Sequence, residues 1–108
     1  MKFKMNDRIF IIKQVSKNEL WGDTGEAKTN DSNIFGKHSP YSQEILLSEE
    51  LSKEQTRKTL IHELTHCYLW CYSHRAETFS EENICDIAGN SLDVIYKIVD
   101  KYMREYYV

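Results

Sequence analysis

The stretch Leu60–Tyr72, "LIHELTHCYLWCY", decides how this chain must fold. It holds no Gly or Pro, so nothing in it interrupts a helix. Wound at about 100° per residue, Leu60, Leu64, Cys67 and Cys71 form one apolar stripe. Leu69 and Trp70 add apolar area on the opposite flank. A helix apolar on nearly every side is predicted to be buried between layers rather than to lie on a surface. His62 and His66 are four apart on it, so they project from one face, one turn apart. Two imidazoles so placed can bind one tetrahedral zinc ion. Glu63, about 100° round from His62, flanks them and can take a proton from a metal-bound water. In a helix buried on both sides, two unpaired histidines would be costly, and a metal would satisfy both.

The neighbouring segments set the architecture. Ser52-Lys-Glu-Gln55 fits a capping box, which predicts a helix from there to about Tyr72. Ser73–Phe79 reads as a loop, and Ser80 can cap a last helix from Glu81 to about Tyr106. Arg8–Val15 is rich in β-branched residues and reads as a strand; Tyr41–Ser48 is a second, with Glu44–Leu47 as its apolar end. Ser16–Pro40 carries three of the four glycines and the only proline. It reads as loops, with room for one short strand or hairpin near Leu20–Asn30. Strands followed by helix, loop and helix make a small α+β domain.

With 108 residues, one domain spanning 1–108 and one hydrophobic core are expected. The net charge of −3 comes from interspersed residues of both signs, with no basic stripe to support nucleic-acid binding. The longest apolar runs are too short to span a membrane. Near the N-terminus the only apolar run is Ile9–Ile12, too short for a secretory signal, so a cytoplasmic location is expected. The three cysteines are an odd number, and no disulfide framework is expected. Cys67 and Cys71, on one helix face, read as small buried hydrophobes.

A catalytic zinc takes three protein ligands and keeps one position open. The long His-Glu-x-x-His-x-x-Gly-x-x-His pattern would need Gly at 69 and His at 72, where this chain has Leu69 and Tyr72. His38 and His74, in loop segments, could touch substrate or metal. Glu82-x-x-x-Asp86, on the last helix, resembles the gluzincin pattern of thermolysin-like peptidases. That resemblance implies Glu82 as third zinc ligand and Asp86 as the group that orients a zinc-binding histidine. It also implies that Gly89 lets the two helices approach closely.

The layout "EILLSEELSKEQTRKTLIHELTH … FSEENICD" more specifically resembles the small phage-associated and ImmA/IrrE-type metallopeptidases, over about Glu44–Leu92. This implies a minimal zincin-like domain, with a small N-terminal β-sheet, the His-Glu-x-x-His helix and a C-terminal helix. It implies Zn2+ as cofactor and Glu63 as the base in peptide-bond hydrolysis. The substrate would be a peptide or protein, such as an intracellular regulator. Zincin folds pair a cleft-edge strand with substrate, and Tyr41–Ser48 is the candidate for that role.

Periodicity leaves alternatives open. The apolar stripe of the last helix, Ile84, Ala88, Leu92, Ile95, Val99 and Tyr102, takes in Glu81, whereas Glu82, Asp86, Asp93 and Lys97 lie on its polar side. Glu81 therefore competes with Glu82 as third ligand, and Cys85 or Asp86 is a lesser choice. Tyr68, Tyr72, His74 and His38 all compete for the group that stabilises an oxyanion. A catalytically weak zinc-binding regulatory or adaptor domain of a phage or mobile element is the alternative function. A purely structural interaction protein, its motif coincidental, is the third.

Overall fold

Alternation of apolar and polar residues builds the sheet. The computed structural model describes residues 1–21, 35–39, 41–72 and 79–107. Strand β1 (Lys2–Met5) buries Phe3 and Met5 and exposes its two lysines, while β2 (Arg8–Val15) buries Phe10, Ile12 and Val15. Asn6 and Asp7, which join them, both have positive φ, 49° and 62°. A tight turn between twisted antiparallel strands needs that conformation, and Asn and Asp tolerate it. A short helix, α1 (Lys17–Trp21), follows, with Ser16 Oγ accepting from the Glu19 amide. Next come β3 (Gly36–Ser39) and β4 (Glu44–Ser48).

The sheet order is β1-β2-β4-β3, with β2 and β4 parallel and the outer pairs antiparallel. The two strands predicted from the sequence are therefore its centre. β4 begins only at Glu44 because residues 41–43 turn, Gln43 having φ 56°. β1, α1 and β3 were not expected. In the segment Leu20–Asn30, Leu20 and Trp21 end α1, and the remainder of the expected strand or hairpin lies outside the described residues. So does most of the Ser73–Phe79 loop.

Helix α2 (Lys53–Cys71) starts with the predicted capping box: Ser52 Oγ accepts from the Gln55 amide at 3.2 Å and Gln55 Oε1 from the Ser52 amide at 3.0 Å. Helix α3 (Glu81–Tyr106) starts the same way, with Ser80 and Asn83 as the reciprocal pair. α2 packs on the β3–β4 half of the sheet and on α3. One core joins Phe10, Ile12, Ile45 and Leu47 of the sheet to Leu60, Leu64, Cys67 and Cys71 of α2 and Ile95, Val99 and Tyr102 of α3. The architecture is α+β, a four-stranded sheet with helices, and α2 has the sheet and α3 as neighbours, as its composition predicts. Cys67 and Cys71 are buried and free. Among the described residues no helix is long and apolar enough to cross a membrane.

The apolar stripe of α3 is seated only from Ile95 onward; before it, Ile84 and Leu92 are exposed. Gly89 has no atom within 4 Å of where a Cβ would stand, so the expected close approach of the helices there does not occur. The close approach is at Gly36 instead. A Cβ on Gly36 would lie 2.6 Å from Thr59 Cγ2 and 3.2 Å from both Glu63 Cγ and the Leu46 carbonyl oxygen. β3 thus meets α2 backbone-first. Gly36→Ala is expected to lower stability by about 1–3 kcal/mol through this overpacking, read as a lower urea midpoint with unchanged slope.

Candidate metal centre

On α2 the faces divide by angle. With Leu60 at the centre of the core stripe, Glu63 lies about 60° to one side and His62 and His66 farther round the same way, about 160° and 120° off. The helix sets the imidazoles together: His62 Nε2 and His66 Nε2 are 3.2 Å apart, with ring planes at 74°. Two nitrogens bound to one tetrahedral zinc at about 2.0–2.1 Å would stand a little over 3 Å apart. A direct hydrogen bond, one ring donating and the other accepting, gives the same distance.

Both histidines reach solvent, which corrects the expectation that they would be buried. α3 lies along the Arg57, Ile61 and Thr65 side of α2, away from the His face. Partial loss of water on the inner side of the His66 ring, and then the charge of His62, lower the His66 pKa.

Glu63 is the buried member, only 2% exposed. It lies in the seam between α2 and β3, where Gly36 makes room for it. Its Oε2 is buried with no hydrogen-bond partner among the described residues. Burial raises its pKa from 4.5 to about 7. An unpaired buried carboxylate lowers stability, and such groups concentrate at functional sites. A base that titrates near neutral pH is also the kind that general acid–base chemistry uses.

His38, on β3, comes to the same seam. It shares a strand face with Gly36 and packs at 6.1 Å from the Phe10 ring and edge-on at 6.5 Å from Trp70. Its Nε2 is buried and has no partner among the described residues. Burial, then the charge of His66, lowers its pKa to about 4. Tyr68 is buried on the core side of α2 with the Tyr72 ring tilted against it, and His74 lies outside the described residues.

The carboxylates of α3 are not gathered with the His pair. Glu81, Glu82 and Asp86 are all exposed on its first turns. Measured from Ile84, Glu81 stands about 60° round the helix, but Glu82 and Asp86 about 160° and 200°, on the far side. Between the two helices runs an apolar groove of about 290 Å³, lined by Ile61, Thr65 and Leu69 of α2 and by Ile84, Ile87 and Leu92 of α3 among others. Among the described residues no three His, Cys, Asp or Glu side chains stand together as a ready ligand set. Cys85 is exposed as well.

No protein-family model, no curated protein and no solved structure matches this chain. The resemblance to gluzincins therefore stands on the residues quoted for it.

Sequence reasoning placed Glu63 beside the pair but missed its burial. The signal was present, because Glu63 lies about 60° from Leu60, on the Cys67 edge of the core stripe. The Glu63 shift also has a direct consequence for stability. Its folded pKa is raised above the unfolded value, so its contribution is full below about pH 4.5 and is lost as pH rises through about 7. In metal-free protein, Glu63→Gln should gain on the wild type by roughly 3 kcal/mol between pH 4.5 and 8. Urea titrations of both proteins across that range measure the difference, in which the oppositely directed His38 and His66 terms cancel.

Proposed function

We propose that this chain is a zinc-dependent peptidase of minimal zincin-like architecture, with His62 and His66 as metal ligands and Glu63 as general base. The observation that carries the reading is the combination of two imidazole nitrogens 3.2 Å apart with a buried, unpartnered carboxylate on the same helix. A structural helix gains nothing from that carboxylate. When bound, zinc would supply Lewis acidity toward a carbonyl and toward water. Glu63 takes the proton of the attacking water and passes it to the departing amine.

Peptide would be held along β3. Among the described residues β3 has a strand neighbour on one side only, whereas β4 lies between β2 and β3. The role expected of Tyr41–Ser48 therefore passes to Gly36–Ser39, because a strand paired on both sides has no free backbone groups to offer. The free edge adjoins the seam that holds Glu63, which supports peptide as substrate class.

Glu82 is the carboxylate proposed as third ligand, with Asp86 orienting a histidine. Both stand on exposed turns, on the side of α3 away from the groove, so this assignment requires the start of α3 both to approach α2 and to turn about its own axis. Glu81, nearer the groove-facing stripe, is its competitor.

Zinc analysis and turnover of a fluorescein-labelled casein test the reading together. Wild type should bind one zinc per chain and release dye. Glu63→Gln should keep the zinc and lose at least about a hundredfold in turnover. Glu82→Ala should weaken zinc retention and Glu81→Ala should not. A folded chain without affinity for zinc would sink the proposal. Zinc binding with equal turnover in wild type and Glu63→Gln would favour the regulatory or adaptor alternative.

A further inference from the structure

Two side-chain polar atoms are buried without a partner among the described residues, Glu63 Oε2 and His38 Nε2. They share one seam. Gly36 touches the Glu63 side chain, and His38 stands two residues on along the same face of β3. Each step of two along a strand is about 6.7 Å, and one turn of helix is about 5.4 Å. Gly36 opposite Glu63 therefore sets His38 opposite the next turn of α2, which carries His66 and Trp70. The Trp70 edge contact at 6.5 Å agrees with this. Phe10 and Trp70 fix the His38 ring without offering it a hydrogen bond acceptor at Nε2. An apolar side chain of similar size would fill the position without leaving a buried nitrogen unsatisfied.

The rival oxyanion groups are less well placed. Tyr68 is in the core on another face of α2, and Tyr72 follows the end of that helix. His38 comes from the strand whose free edge is offered to peptide.

We propose that His38 is a catalytic residue, its Nε2–H donating a hydrogen bond to the carbonyl oxygen of the scissile peptide bond. The inference rests on the peptidase reading. As water adds to the carbonyl carbon, the π pair of the C=O bond moves onto that oxygen, and the water's proton goes to Glu63. His38 keeps its own proton and stabilises the new negative charge. When the C–N bond breaks, the pair on oxygen re-forms the C=O bond, and the amine receives the proton from Glu63. Phe10 and Trp70 already fix the His38 ring, so once the carbonyl has entered the seam the donor needs little reorientation, the condition under which such groups act most strongly.

The test uses full-length zinc-loaded protein as wild type, His38→Leu, His38→Gln and Glu63→Gln. His38→Leu should hold zinc as wild type does and melt no lower in chelator. On fluorescein-labelled casein its kcat should fall by about a hundredfold or more with little change in KM. His38→Gln, which keeps an N–H donor, should recover part of the loss. Unchanged kcat in His38→Leu, or zinc lost from it, overturns the proposal. If wild type turns over no faster than Glu63→Gln, the peptidase reading itself fails, and calorimetric binding of acetohydroxamic acid decides the role of His38. Its carbonyl oxygen should be held about tenfold more weakly by His38→Leu, and equal affinity, or none in wild type, overturns the proposal.

Discussion

The seat of α2 on β3 at Gly36 is the contact on which the site depends. Because Gly36 has no side chain, the helix comes close enough that a single methyl group would stand 2.6 Å from Thr59. That proximity closes water out of the seam and turns Glu63 into a buried carboxylate. It also sets the strand's His38 against the turn that carries His66 and Trp70. Loosening the contact would return Glu63 to solvent and to the ordinary acidity of a surface glutamate. The structural role of one glycine is thereby joined to the chemistry of the residue it faces.

The helix divides its duties by angle. Leu60, Leu64, Cys67 and Cys71 hold α2 in the core. On the other side His62 and His66 reach solvent, where a metal and a substrate could come to them. Glu63 lies between these two faces. A carboxylate there, unpaired and held near neutral acidity by burial, is unfavourable for folding and suited to moving protons. The first half of α3 forms the opposite bank of an apolar groove and is packed far less than its second half. The carboxylates that could complete a metal site are on that less packed half.

Much of this was legible in the sequence. The caps Ser52 and Ser80, the two helices and the strand Arg8–Val15 are local features, and local signals suffice to find them. β1 was not found, because four residues of alternation are too few to stand out, although Asn6-Asp7 is a recognisable turn. β3 was not found either. Gly-Lys-His-Ser has no strand propensity, and the segment is extended because β4 pairs with it and α2 needs a glycine beneath it. Which strand would form the free edge was misjudged for the same reason. In the site, the spacing of His62, Glu63 and His66 gave their common helix and relative angles. It could not give the burial of each, which depends on where β3 and α3 seat against the helix. The place of His38 could not be read at all, since a lone histidine in a polar stretch has no periodicity.

The central claim is that His62 and His66 share one metal ion. Zinc K-edge X-ray absorption on the full chain, loaded with one equivalent of zinc, tests it most directly. A shared ion gives a nitrogen and oxygen shell at about 2.0–2.1 Å that includes two imidazoles, and the imidazole signal is lost when both histidines are replaced by Gln. A chain that retains no zinc, or a spectrum showing cysteine sulfur at about 2.3 Å and no imidazole, would contradict it.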